Sequence, residues 1–272
     1  MRIYFAITFL LAAVSLARAQ ESAGFSFTAE KKFTSTEKTI YYKLAENTIP
    51  LKIQQYGERT DIVFINMHDD ETTSVDAARR ILEQEGGLLI EVENNLQRNI
   101  RFRLGRTFYT VDPNSIFSRE GIEKSLDLLG KVSERAITEV EKFGQRILQL
   151  IPEETNCIIA LHNNTPDRFT ALEYAAGNKR TKDSRKVYIN PEQDADDFFL
   201  TTDAALYELL ADKKFNTVLQ DNKHCTDDGS LSVYCGKNNI RYVNCETEHG
   251  KTEQYYLMMK ALFTYPLLQK AD

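Results

Sequence analysis

From Asp61 to the C-terminus, short apolar runs alternate with longer amphipathic stretches, and this alternation constrains the fold more than any single motif. Residues 61–66, 87–92 and 157–161 are almost wholly apolar and short, the pattern of strands buried on both faces. Between and after them, residues 74–85, 203–213 and 252–269 carry apolar residues at helical spacing, and 121–150 reads as the longest helix. Residues 99–111 supply one or two further strands. Tyr188 and residues 198–200, 217–219, 231–234 and 240–245 supply the rest. Strands alternating with helices predict an α/β fold with a central mixed, largely parallel sheet flanked by helices. Upstream, Phe25-Ser26-Phe27 and residues 40–44 and 51–53 are short and alternating, which predicts a small N-terminal β extension over residues 20–59.

The first residues obey different rules. Arg2 is followed by an apolar run to Leu16 and then by Ala17-Arg18-Ala19, a small-x-small pattern that predicts a signal peptide over 1–19 with cleavage before Gln20. The run is shorter than the roughly 20 residues of a spanning helix, and no later segment is apolar enough to cross a bilayer. The expectation is a secreted or periplasmic protein with no membrane span after cleavage and its main domain over residues 60–272. A formal net charge of -6 removes the electrostatic attraction on which nucleic-acid binding depends, leaving small molecules or peptides as partners. In an exported chain the four cysteines become potential disulfide partners. Cys225 and Cys235 flank a polar loop and form the preferred pair, whereas Cys157 and Cys245 lie in apolar runs and are equally readable as buried thiols.

Three polar segments each follow a buried strand directly, and in open α/β sheets such strand ends converge on one crevice. Met67-His68-Asp69-Asp70-Glu71 follows the first, with His68 and Glu71 spaced to meet on one cation. Leu161-His162-Asn163-Asn164 follows the second, and His162 would complete a three-ligand site with an open position, as a catalytic zinc requires. The third, Asn244-Cys245-Glu246-Thr247-Glu248, offers two carboxylates of equal parity for proton transfer. Glu246 is the first choice because it lies nearer the apolar segment.

The order H-x-x-E, Asp-x-Asn, strand-end His, strand-end Glu resembles the zinc carboxypeptidase superfamily, including its aspartoacylase and succinylglutamate desuccinylase branch. Leu161-His162-Asn163-Asn164-Thr165 is similar to that branch's Leu-His-Asn-Thr, and Asp112-Pro113-Asn114-Ser115-Ile116-Phe117 to its Asp-Leu-Asn-Arg-x-Phe. The resemblance runs from about Asp61 to Glu248. It implies a zinc-exopeptidase-like fold and one zinc ion held by His68, Glu71 and His162. Glu246 would be the general base and acid, and Asn114 would bind the substrate carboxylate. An arginine polarising the scissile carbonyl is also implied, with Arg106 the first choice and Arg98 the second.

Ser115 departs from the pattern, standing where the family has a carboxylate-binding Arg, and it cannot form the bidentate fork of a guanidinium. Tyr234 is the stand-in for the family's lid tyrosine, and Asn163 is expected to face the pocket or brace its loop. The implied activity is a secreted zinc-dependent hydrolase of a peptide or N-acyl amino acid substrate. The alternative, favoured by Ser115, is a non-catalytic binding protein that keeps the fold.

Overall fold

The computed structural model describes residues 32–269. The expected signal peptide and the Phe25-Ser26-Phe27 run lie outside the described residues.

One mixed sheet contains nine strands: β1 (Ser35–Leu44), β2 (Asn47–Tyr56), β3 (Ile62–Asn66), β4 (Gly87–Val92), β7 (Cys157–Asn164), β8 (Ser184–Tyr188), β9 (Phe198–Thr201), β10 (Asn216–Gln220) and β11 (Tyr242–Glu248). The remaining two, β5 (Ile100–Leu104) and β6 (Thr107–Val111), pair as a separate hairpin. The sheet order is β1-β2-β4-β3-β7-β11-β9-β10-β8. Its centre, β4-β3-β7-β11, is parallel throughout, while both edges are closed by antiparallel pairs. The physical reason is burial: every residue of β3 and β7 is buried, so both faces need helical cover.

That cover is divided by strand parity. Phe64, Ile159 and Val243 pack with α1 (Thr72–Glu85), α4 (Ala204–Asp212) and α6 (Thr252–Leu262) on one face. Val63, Ile158 and Tyr242 point the other way, into a core shared with α2 (Arg119–Leu129), α3 (Glu134–Leu148) and α5 (Leu231–Lys237). Among the described residues, no helix is long and apolar enough to cross a membrane.

Three expectations need correction. The stretch 121–150 is two helices, because Gly130 takes φ +150° at the end of α2 and Ser133 caps α3 by accepting from the Ala136 N–H. Residues 231–234 are the first turn of α5 and not a strand; Ser230 starts it by accepting from the Val233 N–H. The four cysteines are free, so the expected Cys225–Cys235 bridge is absent: Cys235 is buried in α5 and Cys225 is half-buried on the preceding loop.

Upstream of β3, β1 and β2 pair along their full length from Ser35↔Tyr56 to Leu44↔Asn47, and β2 continues onto β4. The hairpin therefore extends the main sheet. At the crevice end, the loop before α5 packs so closely on the rest that two glycines are required. A side chain at Gly121 would strike the Gly229 backbone, and one at Gly229, which has φ +74°, would strike the Ser115 carbonyl.

Candidate functional site

The H-x-x-E segment is the turn that carries the chain from β3 into α1. Glu71 occupies the N-cap position of α1, and its N–H donates to the His68 carbonyl at 3.0 Å, which folds the two side chains toward each other. His68 Nδ1 lies 3.1 Å from Glu71 Oε1. From the end of β7, His162 brings Nδ1 to 3.0 Å from Glu71 Oε2. The two imidazoles stand 5.3 Å apart and are tilted by 58°. One ligand atom from each of the three residues falls within 4.8 Å of the others, so the group could hold a metal ion. His68 and Glu71 are each 1% exposed and His162 5%.

The buried atoms show what the site needs. Asp112, at the end of β6, faces His68 Nε2 at 2.8 Å, and a carboxylate only accepts, so that nitrogen carries the hydrogen. His68 Nδ1 is then an acceptor facing a carboxylate oxygen, buried and without a hydrogen bond. Two facing acceptors repel unless a proton or a cation lies between them. With no metal, a proton does so: burial alone would lower the His68 pKa, but Glu71 and Asp112 push it up to about 9. Burial also opposes ionisation of Glu71, yet the two histidines hold its carboxyl well below the usual range. The same arrangement suits a metal that accepts one imidazole nitrogen from each histidine and a carboxylate between them, with Asp112 orienting His68 from behind.

Glu246 is the direct register partner of His162 across the parallel β7–β11 ladder, and it is 5% exposed. Burial, assisted by Glu71, raises its pKa to about 7 against the opposing pull of His162. Glu248, two residues on, is half-buried and bonded to Lys251. Glu246, unlike Glu248, borders a cleft of about 520 Å³, which is also lined by Arg98, Asn114, Asn244 and Arg180.

Other candidate residues fall in different places. Arg98, on the loop after β4, reaches the cleft and forms an ion pair with Glu71. Arg106 sits on the exposed turn between β5 and β6, away from the cleft, so the order of preference between these two arginines reverses. Asn114 borders the cleft with its Oδ1 buried and unpartnered. Ser115 follows it in the same short turn and supplies its carbonyl to the packing around Gly229. Tyr234 lies on α5 against Phe117, with rings 6.2 Å apart, and does not border the cleft. Asn163 is a brace: its Oδ1 accepts from the Ser74 N–H at 3.2 Å and its Nδ2 donates to the Thr247 carbonyl at 3.3 Å.

Sequence reasoning passed over Asp112 as the residue behind His68, and also Arg180 and Tyr255. Arg180 is laid over the rings of Phe169 and Tyr174 and bonded to Glu173. The Tyr255 hydroxyl accepts from the His162 N–H at 3.0 Å and donates to the Cys245 carbonyl. Only Asp112 carried a signal, being part of the Asp-x-Asn motif.

No protein family matches the sequence, and no curated protein does. Solved structures similar to the chain include an aspartoacylase family protein from Mesorhizobium loti, at 15% identity over 88% of this chain and 68% of that one, with a TM-score of 0.44. Murein-tripeptide amidase MpaA from Escherichia coli O157 matches at 12% identity over 90% of this chain and 97% of its own, with a TM-score of 0.43. Thrombin activatable fibrinolysis inhibitor matches at 8% identity over 86% and 72%, with a TM-score of 0.47.

Proposed function

We propose that the chain is an exported zinc-dependent hydrolase of amide bonds in a peptide or N-acyl amino acid substrate, with its signal peptide over 1–19, a β extension over 20–59 and the catalytic domain over 60–272. The observation that carries the reading is the buried His68–Glu71–His162 group with a buried, unligated carboxylate, Glu246, one strand away on the same cleft. A structural metal site has no need of such a carboxylate; a hydrolytic one does.

In this reading His68, Glu71 and His162 hold one zinc ion, which when bound supplies Lewis acidity to a carbonyl and acidifies water. Glu246, with its pKa raised by burial to about 7, accepts a proton from water and passes it to the leaving nitrogen. Arg98 brings a guanidinium to the same point and assists in polarising the carbonyl. Asn114 offers its side chain to the substrate from the β6 side, and Asn163 keeps the end of β7, and with it His162, in place.

The test is a panel of peptides and N-acyl amino acids offered to the zinc-loaded protein before and after chelation. Release of amine that stops on chelation and returns with zinc is the expected result. A fully zinc-loaded protein that cleaves none of them is instead the binding protein that Ser115 suggested.

A further inference from the structure

Alternate residues of β11 face the cleft: Tyr242, Asn244 and Glu246. Asn244 is flanked in the sheet by Ala160 on β7 and Leu200 on β9, neither of which has a polar side chain, and it is itself 8% exposed. A buried amide in such surroundings is costly unless it bonds to something. Its Nδ2 donates to Glu246 Oε1 at 2.9 Å, while its Oδ1 is buried and unpartnered. Among the described residues, Asn244 is the one hydrogen-bond donor to the Glu246 carboxylate, whose second oxygen, Oε2, accepts none from protein.

The chemistry of the two oxygens then differs. We propose that Asn244 is a positioning residue that grips Glu246 by Oε1 and so reserves Oε2 as the oxygen that carries the proton; this rests on the hydrolase reading. As a carboxylate, Glu246 accepts the Asn244 N–H at Oε1. When a proton taken from water resides on Oε2, Oε1 becomes the carbonyl oxygen of the acid and still accepts that bond. The grip therefore survives the whole cycle: the proton arrives on Oε2, leaves from Oε2 to the departing nitrogen, and the side chain need not turn between the two transfers. A single-bonded buried carboxylate without the amide is free to rotate about its last torsion, which is broad and two-fold. A proton placed on the oxygen turned away from the cleft would be lost to the second transfer.

Asn244→Leu keeps the branched shape at a modest gain in volume and removes the donor. In the zinc-loaded protein it should lower kcat by about ten- to a hundredfold, with KM and zinc content unchanged and Asn244→Gln recovering part of the loss. A merely structural role makes a different forecast in the Glu246→Gln background. There, the proposal forecasts no further cost from Asn244→Leu, because the two act as one unit, whereas a merely structural role forecasts the same cost again. Additive losses, or a wild-type kcat in Asn244→Leu, overturn the proposal. Crystal structures of zinc-loaded wild type and Asn244→Leu test it even if no substrate is ever turned over. Glu246 should keep its carboxylate plane directed at Asn244 in the first and show a turned plane or a divided side chain in the second; the same plane and the same single side-chain position in both defeat the proposal while leaving the hydrolase reading to its own assay.

Discussion

His162 and Glu246 are register partners on adjacent parallel strands, and the Tyr255 hydroxyl from α6 joins the backbones beside them, taking the His162 N–H and giving its proton to the Cys245 carbonyl. The proposed ligand and the proposed base therefore share one rigid support. Neither depends on a loop for its position, whereas His68, Glu71 and Arg98 all sit on connections. Sites built on strands are held more closely than sites on loops, and here the strand-borne pair includes the group that must move a proton without moving itself.

The metal is expected to compete with a proton. Without metal, His68 keeps its proton up to about pH 9, above its ordinary value of 6.5. Binding must release that proton, so affinity for zinc should rise by about tenfold per pH unit as the pH climbs toward 9 and level off above it. Chelator competition across that range measures the slope. A flat profile, or equal zinc in wild type and His68→Ala by plasma emission, removes His68 from the site.

Glu246→Gln should retain zinc and fold while losing most hydrolysis, a fall of about a hundredfold or more in kcat. Glu248→Gln, which loosens only the pairing with Lys251, should change kcat little. Parallel steady-state kinetics on the two variants decide between them, and the reverse ranking would transfer the proton role to Glu248.

Tyr255→Phe removes one oxygen from a fully buried position and strands two backbone groups at once. The loss should be about 1–3 kcal/mol of stability, or several degrees in Tm at about 2–4 °C per kcal/mol for a domain of this size. Calorimetry on the zinc-loaded protein reads it directly. An unchanged Tm would mean that water takes over the hydroxyl's place.

Much of this architecture was legible in the sequence because burial on both faces leaves an unmistakable mark. The runs at 61–66, 87–92 and 157–161 became the core of the parallel sheet, and the residues just beyond two of them became the group that could hold a metal ion. Periodicity misled where one residue outweighed it: Gly130 broke a helix that the apolar spacing on both sides seemed to continue, and Ser230 began a helix where Leu231 to Tyr234 looked strand-like. The arginines illustrate another limit. Arg98 and Arg106 are indistinguishable by composition, and only the fold separates them, the loop after β4 bringing Arg98 to Glu71 and the turn between β5 and β6 carrying Arg106 outward. Tyr255, which lies 93 residues from His162 in the chain, had no local signature at all.

Asn163 heads an Asn-Asn-Thr sequon that an exported chain would present to a glycosylating host. Both ends of its side chain are engaged in the fold, Oδ1 by the Ser74 N–H at the start of α1 and Nδ2, the atom that would carry the sugar, by the Thr247 carbonyl. The residue is 5% exposed, next to His162, and borders the cleft. A glycan there would break both bonds, detach the β7 end from α1 and β11, and occupy the space through which substrate enters. The chain that folds should therefore be the unmodified one, even when expressed in a host that glycosylates. Intact-mass analysis of the folded, zinc-loaded fraction should give the unmodified mass; a sugar on Asn163 in protein that still binds zinc would show that Asn163 is not the brace described and that His162 is not held through it.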